Sequence, residues 1–206
     1  MILQLDGRFP SPRRIERVVA LLEDDGVVAI PTDTTYALAC LPDRRAAVDR
    51  LMALRRLDPK KPLALIFRDI RHVSEHTLLD DAAFRVVRRY LPGPYCFILE
   101  ANRTLPRITG DNRRRIGVRV PAHAVPQAIV EVANKPLIVT SCIDPDTNET
   151  LNDPWETESI FGHGLAAVLD GGDMPGIPTS IIDLTTELPT IIREGLGDCT
   201  DFRRAG

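Results

Sequence analysis

Paired cysteines, long apolar runs and aromatic residues are all scarce in this 206-residue chain, and each shortage removes a class of protein. Cys40, Cys96, Cys142 and Cys199 stand far apart with no Cys-x-x-Cys unit. Structural zinc sites use closely spaced ligand pairs, so these four are expected to be reduced packing residues. His72, His76, His123 and His163 show no His-Glu-x-x-His spacing either. His72 and His76 would share one face if their segment is helical, but a solvated pair is the simpler reading, and no metal ligand is assigned. No apolar run approaches the roughly 20 residues of a membrane span. The first residues lack the basic start and apolar stretch of a signal peptide, so the expectation is a cytoplasmic protein without membrane contact. Aromatics at 5% are too few for a surface that stacks single-stranded nucleic acid. A net charge of -3 argues against a surface built wholly for nucleic acid.

Glycine loops for nucleotides are missing as well. There is no Walker Gly-x-x-x-x-Gly-Lys-Ser/Thr and no Gly-x-Gly-x-x-Gly. No Cys–His, Ser–His or paired-carboxylate unit offers covalent or acid–base chemistry.

What the chain does contain is an ordinary globular composition, 44% hydrophobic and 27% charged, long enough for one domain over residues 1–206 with a sizeable core. Helical periods run over Arg13 to Asp24, Asp43 to Leu57, Asp80 to Tyr90 (Ala83, Phe84 and Val87 inward) and Val125 to Ala133. Between them lie strand-like runs at Val27 to Ile30, Pro62 to Phe67, Cys96 to Glu100, Ile116 to Pro121, Leu137 to Ser141 and Leu165 to Leu169, with a late hairpin from Ser180 to Arg193. Strands interleaved with helices and followed by antiparallel strands predict an α/β domain with a mixed sheet. The polar stretch from Asp144 to Trp155 reads as a mobile loop that could cover a site.

Several of these strands stop in a polar tip: Pro31-Thr32, Thr140-Ser141 and Thr179-Ser180. If the tips converge, they form a pocket of hydroxyls into which Arg56, Arg119 and Arg193 could project, suited to positioning and neutralising phosphates. Two basic clusters, Arg55-Arg56 with Lys60-Lys61 and Arg113-Arg114-Arg115, fit a multiply charged anion or an RNA-facing patch.

At these residues the chain resembles the Sua5/YrdC/YciO family, the threonylcarbamoyl-AMP synthase group that serves tRNA threonylcarbamoyladenosine formation. The motifs are Ile30-Pro31-Thr32-Asp33-Thr34-Thr35-Tyr36, Lys61-Pro62-Leu63, Leu91-Pro92-Gly93-Pro94-Tyr95, Val118-Arg119-Val120-Pro121-Ala122-His123, Thr140-Ser141, Pro178-Thr179-Ser180-Ile181-Ile182-Asp183 and Ile192-Arg193-Glu194-Gly195. In order and spacing they cover nearly the whole chain. The resemblance implies a YrdC-type single domain, a twisted mixed β-sheet with flanking helices and a basic concave face. It implies that L-threonine, bicarbonate and ATP are converted to threonylcarbamoyl-AMP and pyrophosphate, with Mg2+ accompanying ATP. It further implies binding of double-stranded RNA or tRNA as the alternative role. On it, Thr32 and Arg119 hold threonine, with Thr179 or Ser180 nearby. Arg55, Arg56, Lys61, Ser141 and Arg193 face the nucleotide, and Arg56 and Ser141 act in catalysis.

Two departures stand out. Family synthases carry a Lys-x-Arg, which here is Leu54-Arg55-Arg56 or, in another register, Arg55-Arg56-Leu57. They also carry a Ser-x-Asn, which here is Ser141-Cys142-Ile143. The resemblance is therefore to the YciO branch, with weakened activity or a changed substrate as the expectation.

Overall fold

Short runs of apolar residues join through their backbones into one mixed sheet, and the pleat sends alternate side chains to opposite faces. The computed structural model describes residues 1–58, 62–106 and 114–203. In chain order the strands are β1 (Ile2–Gln4), β2 (Val28–Ile30), β3 (Ala37–Cys40), β4 (Ala64–Ile66), β5 (Thr77–Leu78) and β6 (Tyr95–Ala101). They continue as β7 (Arg115–Arg119), β8 (Leu137–Ser141), β9 (Ala167–Asp170), β10 (Ser180–Asp183) and β11 (Thr190–Arg193). Across the sheet the order is β1-β9-β2-β3-β8-β4-β7-β6-β10-β11, with β5 beside β6. Parallel pairs (β1–β9, β2–β9, β4–β7, β6–β10) mix with antiparallel ones such as β3–β8 and the late β10–β11 hairpin. This is the twisted mixed sheet with flanking helices that the resemblance implies.

Helices sort by the face they cover. α1 (Pro12–Glu23) has proline in its first turn and buries Ile15, Val18, Val19 and Leu22. It packs on α5 (Ala124–Ala133), and the pair covers Val28, Ile30, Ala37 and Ala39 on one sheet face. The opposite face carries α2 (Arg45–Leu54), α3 (Ile70–His76) and α4 (Asp81–Tyr90), whose Leu51, Val73 and Val87 pack with Phe67 and Phe97. Each fully buried aliphatic side chain contributes about 1.5–3 kcal/mol, so these two layers supply most of the driving force. α6 (Pro154–Phe161) and the short α7 (Thr200–Arg203) add Phe161 and Phe202 to the second layer. No helix among the described residues is long and apolar enough to cross a membrane. All four cysteines are buried and free.

Several local expectations are corrected. Strands β1, β3 and β5 have no counterpart among the strand-like runs of the sequence. Phe84 is 37% exposed, and Val87 is the buried residue of α4. The Asp43 to Leu57 helix is shorter and ends when Arg56 takes a left-handed conformation, φ 48°. The Asp144 to Trp155 stretch is tied down at both ends: Leu151 N–H donates to the Cys142 carbonyl, Tyr36 N–H to the Leu151 carbonyl, and Ile143 bridges Thr150. Its last residues start α6, where Asp153 caps the Glu156 amide and Pro154 occupies the first turn.

Candidate functional site

α1 and α5 cover only one end of their sheet face. At the other end, Ala64, Cys96, Ile98, Gly117, Arg119, Val139 and Ser141, from β4, β6, β7 and β8, line a cavity of about 160 Å³. Gly117 sits on this lining, where a Cβ would meet Cys96 Sγ at 2.7 Å and Ala64 Cβ at 3.1 Å. The edge strands complete the wall with Thr179, Ile181 and Arg193, and the segment after α2 adds Arg55 and Leu57. Two of the three polar strand tips, through Thr140-Ser141 and Thr179, therefore converge on one hollow with guanidinium groups around it, while Pro31-Thr32 is not part of its lining.

Arg119 ends β7 and is 4% exposed. Its Nη2 donates to Asp33 Oδ1 at 3.0 Å and to Thr34 Oγ1 at 3.2 Å. Asp33 Oδ2 accepts the Ala122 N–H at 2.9 Å, so both carboxylate oxygens are engaged. The Arg119 Nε is buried and has no partner. A buried donor left unsatisfied costs about 1–3 kcal/mol, so an acceptor brought by a ligand would be stabilised there.

The loop beneath this arginine holds itself. Thr32 Oγ1 donates to the Thr35 carbonyl at 2.7 Å, which uses its one proton. The hydroxyl contact between Thr32 and Thr34, 3.1 Å, must then have Thr34 as donor. Hydrogen bonds thus run one way, from Arg119 through Thr34 and Thr32 to Thr35. Thr32 is fully buried and absent from the cavity lining. Its expected contact with threonine is corrected: it shapes the loop that presents Asp33 and Thr34.

Two further arginines frame the opening. Arg193 donates from Nε to the Thr179 carbonyl and from Nη2 to Thr179 Oγ1, both at 3.0 Å. Gly195 lets this hairpin approach, since a Cβ there would lie 2.1 Å from the Pro178 carbonyl. Arg55 donates from Nε to the Ser141 carbonyl at 2.8 Å and from Nη1 to the Ile143 carbonyl. Burial pulls the pKa of Arg55 and of Arg193 below the ordinary guanidinium value, and the Arg119 charge adds to the effect at Arg193. No carboxylate lines the cavity among the described residues, so the like charges of Arg119 and Arg193 face a site suited to an anion.

The remaining expectations divide. Arg119, Ser141, Thr179, Arg193 and Arg55 come together as lining residues. Ser180 does not: its Oγ donates to the Gly197 carbonyl at 2.6 Å and accepts the Gly195 N–H at 2.9 Å, which pins β10 to the chain after β11. Arg56 is corrected too, because its left-handed backbone turns it outward to Asp146, 2.7 Å away, in a separate depression with His163 and Ile160. Arg55 and Leu57 face the cavity, so the Lys-x-Arg comparison takes the register Arg55-Arg56-Leu57. Lys61 and Arg113 lie outside the described residues, and Arg114 is turned onto the carbonyls of Asn102 and Leu105. Sequence reasoning missed Cys96, whose thiol is pushed up by burial, and the clamp of Asp33 and Thr34 on Arg119. The Cys96 signal was available, since it shares the strand alternation of Ile98.

Comparison with known proteins gives a consistent picture. The profile of the Sua5/yciO/yrdC family, described as telomere recombination, matches residues 20–195. The uncharacterized protein YciO of Escherichia coli (strain K12) is 34% identical over 194 residues, 94% of each chain. A crystal structure of E. coli YciO matches with a TM-score of 0.94 over 98% of each chain, at 32% identity. A threonylcarbamoyl-AMP synthase of Psychromonas ingrahamii is 31% identical over 171 residues, 81% of this chain and 90% of that one. P. abyssi Sua5, in a crystal structure complexed with L-threonine, shares the fold with a TM-score of 0.90 at 21% identity, and this chain spans 60% of it.

Proposed function

The chain belongs to the Sua5/YciO/YrdC family, and from that starting point we propose that its cavity binds L-threonine and ATP and makes threonylcarbamoyl-AMP at a reduced rate. The observation that carries this reading is the buried, unpaired Nε of Arg119 at an arginine-framed hollow whose described lining holds no carboxylate. The relatives support it: one is named a threonylcarbamoyl-AMP synthase, and a structural neighbour binds L-threonine.

Threonine's amine takes up bicarbonate with loss of water, giving a carbamate. A carbamate oxygen then attacks the α-phosphorus of ATP, and the bond to the β-phosphate oxygen breaks as pyrophosphate leaves. Arg119 holds the threonine carboxylate with its free donor, while Asp33 and Thr34 keep its guanidinium fixed. Arg193, positioned by Thr179, and Arg55, positioned by the carbonyls of Ser141 and Ile143, face the phosphates. These fixed charges stabilise the negative charge that builds on the phosphate chain. Among the described residues Mg2+ finds no carboxylate in the lining, and both Asp33 oxygens are engaged, so the ion would arrive on the nucleotide's own phosphates. No step here depends on it.

Leu57 and Ile143 stand where the family pattern has an arginine and an asparagine. Each missing charge-assisted hydrogen bond is worth about 1.5–3 kcal/mol, roughly 10- to 150-fold in rate if it acts in the transition state. The test is pyrophosphate release from ATP with threonine and bicarbonate. Release above the level without threonine is expected, and Arg119→Ala should abolish the threonine-dependent part. Absence of nucleotide binding by calorimetry, together with salt-dependent binding of duplex RNA, would replace this reading with the RNA-binding one.

A further inference from the structure

A second cluster of chemically capable side chains lies on α3 and shares no residue with the cavity lining. Asp69 caps this helix by accepting the His72 N–H at 2.7 Å, and the helix places His72 and His76 one turn apart. Their ring centroids are 5.0 Å apart. One ligand atom from each of His72, Glu75 and His76 lies within 4.8 Å of the others. We propose that His72, Glu75 and His76 form a binding site for a divalent transition-metal ion of the zinc type.

Two imidazole nitrogens and one carboxylate oxygen are a donor set that zinc accepts, whereas magnesium and calcium prefer oxygens alone. Ligands at about 2.0–2.1 Å around a tetrahedral ion sit roughly 3.4 Å from one another, so the three groups must close by up to about 1.4 Å. Glu75 is exposed and His76 half-buried, which leaves both side chains room to do so. The sequence His-x-x-Glu-His supplies all three ligands from one helix, so no other element has to move.

The surroundings already orient one ring for this task. His76 Nδ1 lies 2.6 Å from Thr104 Oγ1. The single hydroxyl proton of Thr104 goes to Asn102 Oδ1 at 2.6 Å or to the Glu75 carbonyl at 3.3 Å, both of which only accept. His76 Nδ1 is therefore the donor to Thr104, and its Nε2 keeps a free lone pair, the arrangement that metal-binding histidines usually have. Phe67 packs edge-on against the His72 ring, centroids 5.4 Å apart, and limits its rotation.

Two features oppose the ion, and both are small. His72 Nδ1 accepts the Arg68 N–H at 3.3 Å, and coordination through either ring nitrogen releases that amide. The contact is long, and Arg68 is only half-buried, so water can replace it. Arg71 stands 3.5 Å from Glu75 Oε1, but both side chains are exposed and the pair holds little energy. The Arg68 charge is already matched by Asp69 and Glu131 at 3.2 and 3.3 Å.

Equilibrium dialysis of the full chain against micromolar zinc, followed by metal analysis, tests the site. One zinc per chain is expected, with affinity weakened at least about tenfold in His76→Gln and several-fold in Glu75→Gln. Far-UV circular dichroism checks that the variants fold. Should His76→Gln fail to fold, the exposed Glu75→Gln decides alone. No zinc on the unaltered chain, or equal zinc on the folded variants, overturns the assignment.

Discussion

One face of the sheet is finished in two ways. Under α1 and α5 it carries Val28, Ile30, Ala37 and Ala39, and helices bury it in an apolar layer. A few strands along, the same face carries Ala64, Cys96, Gly117 and Arg119, and encloses a hollow framed by arginines. Nothing in the strand geometry distinguishes the two ends, since both use the same alternation. The difference lies in side-chain size and charge: small residues keep space open, and a buried ion pair sets a cation at its rim. Stability is thus concentrated at one end, and ligand chemistry at the other.

Substitutions at the two ends can break that division, and the largest effect is expected at Arg119. Arg119→Ala leaves Asp33, whose side chain is 9% exposed, without its charged partner, and urea unfolding should show a loss of about 3–5 kcal/mol together with loss of threonine-dependent turnover. A loss below 1 kcal/mol would mean that the pair is not fixed in solution. Leu22→Ala, at the covered end, should cost about 2–5 kcal/mol while the remaining folded protein binds ATP unchanged. Arg193→Ala is its mirror image: about 1–2 kcal/mol of stability from the two bonds to Thr179, but more than tenfold in nucleotide affinity by calorimetry. If Leu22→Ala weakens ATP as much as Arg193→Ala does, the two ends are not separable.

Smaller changes sharpen the comparison. Ile143→Asn should raise pyrophosphate release about tenfold, the lower end for one restored charge-assisted bond. No gain, or a loss, would show a cavity rebuilt for another ligand. Arg55 and Arg56 give the finest contrast, because they are adjacent yet face different surroundings. Arg56→Ala removes an exposed pair worth at most about 1 kcal/mol and should leave ATP affinity unaltered, whereas Arg55→Ala should weaken it.

That pair also shows where sequence reading reached and where it stopped. The strands with polar tips, the late hairpin and the gathering of Arg119, Ser141, Thr179 and Arg193 were legible, because alternation and motif order survive in one dimension. The choice between Arg55 and Arg56 was not, since it depends on a single left-handed residue at a helix end. Thr32 and Ser180 misled for a related reason. A hydroxyl at a strand tip can face a ligand or its own backbone, and here both are held by local bonds. α6 was readable in principle, as Asp153, Pro154 and Glu156 form a helix-start signature inside a stretch that polarity alone marks as loop.

Position 143 has a consequence of its own. Ile143 is anchored through its carbonyl to Arg55 and bridged to Thr150, while it contributes to the cavity wall. Its main chain acts as a fixed mount, so exchanging the side chain alters what the hollow greets without disturbing how the wall is built. A graded series of residues at this one place would let the protein report, by which member binds best, the chemical character of the molecule it accommodates.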